Sequence, residues 1–128
     1  MNIESIVKQA SQTLKKNNIY SFELDAEVIL SDILGTEREY LFVNNKIEVS
    51  EKFIKKYNTA INRRIKGEPV AYITGKKEFW SKNFIVNNFT LVPRPETELL
   101  IYKLINFFKN RKINILDIGT GSGCILLS

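Results

Sequence analysis

The chain has 128 residues, 44% of them apolar and 26% charged, and 19 basic against 14 acidic side chains give it a formal net charge of +5. That balance belongs to a folded protein of one domain, or of one small domain and part of another, and not to a disordered chain. Histidine is absent and Cys124 is the single cysteine, which excludes histidine catalysis, most zinc sites and any internal disulfide framework.

No apolar run approaches the roughly 18 residues that a membrane span requires. The opening "MNIESIVKQA" has no uninterrupted apolar core, so no signal peptide is expected. With one cysteine, a reducing cytoplasm is the expected setting. Residues 1–67 hold 11 basic and 9 acidic side chains, and residues 68–128 hold 8 and 5. So dispersed an excess reads as a solubilising surface before it reads as tolerance of RNA or ribosomes.

Ile3, Ile6, Val7, Ala10 and Leu14 recur at steps of three and four, which predicts a helix over about 2–17 that ends at "KKNN". Ala26, Ile29, Leu30, Ile33 and Leu34 repeat the pattern, and Gly35 can close that helix in the left-handed conformation. Thr36 and Glu39 have capping-box spacing, so "TEREYLFVN" predicts a short third helix. Ser50 can cap a fourth, in which Ile54, Tyr57, Ile61 and Ile65 share a face before Gly67. Residues 1–67 are therefore expected to form a small helical bundle. Lys55, Lys56, Arg63 and Arg64 read there as a solvated face.

After Gly67 the sequence turns to Pro69 and β-favouring Tyr, Ile, Phe, Trp and Val. A connector and a two-stranded ribbon near 76–80 and 84–87 are predicted, making 68–88 a linker. "LVPRPETELLIYKLINFFKN" predicts a helix with Pro95 in its first turn and Glu96 and Glu98 at its positive end. Leu100, Ile101, Leu104, Phe107 and Phe108 would be its buried stripe. Ile113, Ile115, Leu116 and Ile118 predict a strand over 113–118, apolar on both faces as in the centre of a parallel sheet.

That strand leads into Asp117-x-Gly119-x-Gly121-x-Gly123. The dinucleotide fingerprint G-x-G-x-x-G would place its third glycine where Cys124 stands. Glycines here let the backbone leave the strand tightly and come close to a ligand. With Asp117 at the strand end, a zwitterionic amino-acid group fits better than a pyrophosphate, and S-adenosylmethionine carries such a group. A ligand-free strand-to-helix turn is the other reading.

"EPVAYITGKKEFW", "LVPRPETELL" and "ILDIGTGSG", in that order and spacing, resemble the release factor glutamine methyltransferases, the HemK/PrmC family. The resemblance covers the whole chain, and Pro93 to Glu98 is its most specific piece. It implies an α/β protein: an N-terminal helical bundle (1–67), a β-hairpin linker (68–88), and the start of a Rossmann-like class I S-adenosylmethionine-dependent methyltransferase domain (89–128). It implies that Gly119, Thr120, Gly121, Ser122 and Gly123 form the cofactor loop with Asp117 beside it. Arg94 and the stretch from Phe89 to Pro95 would border the cofactor or target pocket, unless Pro93 and Pro95 only set a helix start. The implied substrate is the glutamine of the Gly-Gly-Gln tripeptide of peptide-chain release factors, with the helical domain as the contact. A monomer is expected, needing neither membrane nor nucleic acid.

The family's catalytic Asn-Pro-Pro-Tyr does not occur in this sequence. An amide nitrogen is a poor nucleophile and must be held in line with the sulfonium methyl, so the loss of that motif is serious. The acidic residue expected about 20 positions after the loop, which would bind the ribose hydroxyls, would fall beyond Ser128. The chain is accordingly expected to be an N-terminal fragment, inactive alone, with no catalytic residue within it. Two other readings stay open: an adenine amino-methyltransferase acting on DNA or RNA, and a non-catalytic helical adaptor for a ribosomal or translation-factor partner.

Overall fold

The computed structural model describes residues 1–109 and 111–128. They divide into two compact units, Met1–Thr74 and Gly75–Ser128.

The first helix, α1 (Ile3–Lys16), begins where Asn2 Oδ1 accepts the Ser5 N–H at 3.0 Å. Glu4 stands in its first turn and Lys15 and Lys16 in its last, the arrangement the helix dipole favours. Its inward face is Ile3, Ile6, Ala10 and Leu14, all buried. α2 (Phe22–Leu34) buries Ala26, Ile29 and Leu30 completely and ends at Gly35, whose φ of +69° lets its N–H reach the Asp32 and Ser31 carbonyls.

The short α3 (Arg38–Val43) departs from the expected capping box. Its N-cap is Glu37, no side chain caps it, and the buried Thr36 Oγ1 has no hydrogen-bond partner among the described residues. Thr36 lies one residue too early because its N–H is taken by the Ser31 carbonyl in the closure of α2.

α4 (Glu51–Ile65) starts at Ser50, which accepts the Phe53 and Ile54 N–H groups through its backbone carbonyl. Tyr57 is almost wholly enclosed, and its hydroxyl donates to the Ala26 carbonyl at 2.9 Å. Burial, with the Glu27 carboxylate nearby, pushes that phenol far above its ordinary range.

Arg64 turns inward from α4. Its Nε donates to Asp25 Oδ2 at 2.7 Å, and the Ser21 hydroxyl donates to the same oxygen at 2.8 Å.

A fifth helix, α5 (Val70–Thr74), occupies part of the expected connector. The Pro69 carbonyl accepts from Tyr72 and Ile73, and Val70 and Ile73 pack on the core of α1, α2 and α4. Tertiary burial overrides the strand preference of Val, Tyr, Ile and Thr here. The first unit therefore runs to Thr74, beyond the bundle boundary expected at residue 67.

In the second unit, β1 (Lys76–Phe79) pairs antiparallel with β2 (Lys82–Ile85), Phe79 opposite Lys82. The turn is Trp80–Ser81, earlier than the gap left between the strands expected near 76–80 and 84–87, and both residues have positive φ, 51° and 56°. Two such residues make the type I′ turn whose twist suits a hairpin. Phe79 and Phe84 meet edge to face at 6.2 Å and form a small core with Ile101 and Cys124.

Pro95 opens a 3₁₀ turn, Pro95–Thr97, followed by α6 (Glu98–Phe108). The expected stripe on α6 is only partly buried: Ile101 is enclosed, Leu104 and Phe108 are half-buried, and Leu100 and Phe107 are exposed. The expected strand over 113–118 is not formed, and neither is a parallel sheet among the described residues. Leu116 is 84% and Ile118 88% exposed. A strand exists through its neighbours' hydrogen bonds, and among the described residues no other strand pairs with this segment. The architecture described is thus a helical unit and a two-stranded antiparallel hairpin with helices; the Rossmann-like start is not seen in it. No helix among the described residues is long and apolar enough to cross a membrane.

Candidate cofactor loop

The glycines at 119, 121 and 123 have φ values of +80°, +57° and +77°. A Cβ at Gly119 would meet no atom within 4 Å, and one at Gly121 only the Gly119 carbonyl at 4.0 Å. The backbone angle, not crowding within the chain, is what calls for glycine at Gly121. Gly123 is different: a Cβ would come within 3.3 Å of the Leu127 side chain. Its N–H donates to the Thr120 carbonyl at 2.9 Å, closing a turn, and its carbonyl accepts the Leu127 N–H, opening α7 (Cys124–Leu127). Cys124 anchors that turn by its burial against Phe79, Phe84 and Ile101.

Two side chains of the loop carry unmet hydrogen-bonding capacity. Asp117 Oδ2 and Ser122 Oγ are buried, and neither has a partner among the described residues. Such atoms each cost about 1–3 kcal/mol when left unpaired. A ligand that brings donors to Asp117 and a donor or acceptor to Ser122 would remove that cost. An ammonium or a hydroxyl suits the carboxylate; a phosphate does not. Thr120 is exposed on the same loop.

Arg94 is exposed and extended before the 3₁₀ turn, where its carbonyl accepts the Thr97 N–H at 3.1 Å. Its guanidinium makes no hydrogen bond or ion pair among the described residues, so nothing ties it to the loop. Pro93 beside it is buried, while Phe89 is 91% exposed after an Asn87 turn that holds the Phe89 N–H and the Thr90 hydroxyl. An apolar cleft of about 270 Å³ lies between α6, the 111–115 segment and α7, lined by Ile101, Leu104, Ile113 and Ile115 among others. It offers shape without chemistry.

Glu98 has a role that composition did not reveal. It was expected to serve the helix dipole, but its Oε1 accepts the Trp80 N–H at 2.8 Å and so holds the hairpin turn. Only the conjunction of a non-glycine I′ turn and a nearby acid could have hinted at this. Among the described residues no group of three or more Asp, Glu and Cys side chains stands close enough together to hold a metal.

Residues 5–75 match the family model described as the PrmC N-terminal domain. The chain is 42% identical over 129 residues to a release factor glutamine methyltransferase of Leptospira interrogans, covering 99% of this chain and 45% of that protein. It is 42% identical over 128 residues to a protein of the same name from Buchnera aphidicola, covering all of this chain and 46% of the relative. A third, from Coxiella burnetii, is 41% identical over 129 residues with the same coverage. The chain spans somewhat less than half the length of these curated relatives.

Proposed function

Because this chain belongs to the family of the PrmC N-terminal domain, we propose that the whole protein is an S-adenosylmethionine-dependent release factor glutamine methyltransferase. Its substrate would be the glutamine of the Gly-Gly-Gln tripeptide in peptide-chain release factors. The observation that carries this reading is identity of about 40% over alignments that cover nearly the whole chain, helical unit and glycine loop included, to relatives bearing that name. Neither adenine methylation nor a purely adaptor role has an observation in its favour.

In this reading residues 1–67 recognise the release factor, 68–88 connect, and 89–128 begin the Rossmann-like methyltransferase domain. Gly119, Thr120, Gly121, Ser122 and Gly123 wrap the cofactor. Asp117 faces its amino-acid group, and the unpartnered Oδ2 supports that assignment, because an ammonium supplies the donors it lacks. Ser122 Oγ would accept or donate a second bond. Arg94, free of partners among the described residues, would border the pocket. The bound cofactor supplies an electrophilic methyl on a sulfonium; these residues hold and orient it. Groups that align the glutamine amide belong to the family's Asn-Pro-Pro-Tyr motif, absent from this sequence. The protein would work as a cytoplasmic monomer that requires neither membrane nor nucleic acid.

The test is methyl transfer by the whole protein from labelled S-adenosylmethionine, with the modified residue found by mass spectrometry. Label on the Gly-Gly-Gln glutamine is expected. Label on DNA or RNA, or none on a release factor, would refute the assignment. A companion variant, Gly121→Val, places a branched side chain at φ +57° and should lower cofactor affinity at least about tenfold by calorimetry. Unchanged affinity would reduce the glycines to turn formers.

A further inference from the structure

Among the described residues from 111 to 128, only Cys124 is buried. Ile113, Ile115, Leu116 and Ile118 are exposed, as are Gly119, Thr120 and Gly121, while Ser122 and Gly123 are half-buried. Burial thus holds the glycine loop at its exit, not at its entry. From Thr120 onward the backbone closes on itself. The Gly123 N–H reaches the Thr120 carbonyl at 2.9 Å, and the Leu127 N–H reaches the Gly123 carbonyl at 3.0 Å. Whatever fixes Cys124 therefore fixes Gly123 and Ser122 with it, and Ser122 Oγ is one of the two enclosed loop atoms without a partner among the described residues.

What fixes Cys124 is mainly the hairpin. With Phe79 opposite Lys82, Phe79 and Phe84 lie on one face of the ribbon, and Ile85 lies on the other, in water. Phe79 is 1% and Phe84 8% exposed, and they pack with Ile101 of α6 around Cys124, with Trp80 and Ile125 at the margin. Glu98, one helical turn before Ile101, braces this seat by accepting the Trp80 N–H at 2.8 Å. A segment that only joined two units would need none of this. A two-stranded hairpin is marginal by itself in water, and this one also holds two non-glycine residues at positive φ. It persists through what it packs on, so hairpin and loop exit stabilise each other.

We propose that the β1–β2 hairpin is a positioning element of the cofactor loop: Phe79 and Phe84 seat Cys124, and so present Ser122 and Gly123 in the conformation that receives S-adenosylmethionine. The inference rests on the function proposed above and gives the hairpin a part in it besides connection. The rings act through Cys124, without touching the cofactor. Three glycines in five residues leave a released loop many conformations. Each residue that must then be ordered on binding weakens it about tenfold. Linkage makes the effect reciprocal, so a bound cofactor steadies the hairpin in turn.

The experiment compares the whole protein with Phe84→Ala and Phe84→Leu, by calorimetric titration with S-adenosylmethionine and by amide exchange with and without it. Phe84→Ala should raise Kd about tenfold and quicken exchange at residues 120–125 of the unliganded protein. Phe84→Leu keeps apolar volume in the seat and should stay within about threefold of the wild type. Adding Cys124→Ala to Phe84→Ala should weaken binding by no more than about a further twofold, because both changes remove one contact. Where Phe84→Ala lowers the folded fraction in thermal unfolding, Cys124→Ala alone takes its place, with Kd again expected to rise. In the wild type, cofactor should slow exchange at residues 76–85. An unchanged Kd in a folded variant, or hairpin exchange indifferent to cofactor, would overturn the positioning role and leave the enzyme assignment standing. No binding of S-adenosylmethionine by the wild type would remove that assignment and this inference with it.

Discussion

Asp25 illustrates how a single residue commits its neighbours. Its side chain is 9% exposed and that of Arg64 19%, so each charge depends on the other. Removing one partner strands the second in a poor solvent. Arg64→Leu should therefore destabilise the helical unit by roughly 3 kcal/mol, whereas replacing Asp25 and Arg64 together by apolar residues should recover much of that loss. Urea unfolding of the three chains measures both, and equal costs for single and double replacement would contradict the coupling. Glu68 behaves differently because it lies at the surface. The hydrogen bonds from Arg63 hold its carboxyl below the usual glutamate range. A lowered folded value means the contribution is complete above the ordinary glutamate value of about 4.3, and is lost as pH falls through the lowered one. The melting temperatures of wild type and Glu68→Gln should differ at neutral pH and converge in that acid range. Parallel curves throughout would show that the pair contributes nothing.

At the scale of elements, the hairpin stores a local cost. Trp80 and Ser81 occupy left-handed angles that side chains adopt at about 1–2 kcal/mol each. Trp80 repays this by packing on the small core. Ser81 is exposed and has no such return, so Ser81→Gly should stabilise the hairpin by about 1 kcal/mol. Glu98→Ala should do the reverse by about 1–2 kcal/mol, since the Trp80 N–H loses its acceptor. Amide exchange at residues 76–85 reads both, and identical protection in the two variants would exclude the role given to Glu98. Elements of this kind differ in how far sequence exposes them. α1, α2 and α4 were legible because their apolar residues repeat at helical spacing and each stripe finds a partner. α5 was not, because Val-Ala-Tyr-Ile-Thr prefers strands and only the cover of the bundle makes it a helix. Ile113 to Ile118 has every local mark of a buried strand, but a strand is a property of pairs. The glycine loop could be read from its spacing; the unpartnered Asp117 oxygen could not, because burial of one atom is decided by folding.

For the molecule as a whole, the two units are unequal in what they enclose. The first surrounds one core of twelve buried apolar residues, from Ile3 to Ile61, with Val70 and Ile73 among its flanks. The second encloses Phe79, Phe84, Ile101 and Cys124 and leaves Leu99, Tyr102, Ile105, Phe107, Leu116 and Ile118 in water. Apolar burial is the main favourable term in folding, so cooperativity should reside in the first unit. Specific unfolding enthalpies make this measurable. At about 0.7 kcal/mol per residue near 60 °C, cooperative melting of residues 1–74 absorbs roughly 50 kcal/mol, and of all 128 residues roughly 90. Calorimetry of the 128-residue chain should return the smaller value in one transition, and a chain ending at Thr74 should melt within a few degrees of it. Contacts in the helical unit are mostly local, which favours fast folding of that shorter chain. An enthalpy near the larger value, or a shorter chain without a transition, would mean that residues beyond Thr74 take part in the same cooperative unit, and the division of the molecule at that point would be wrong.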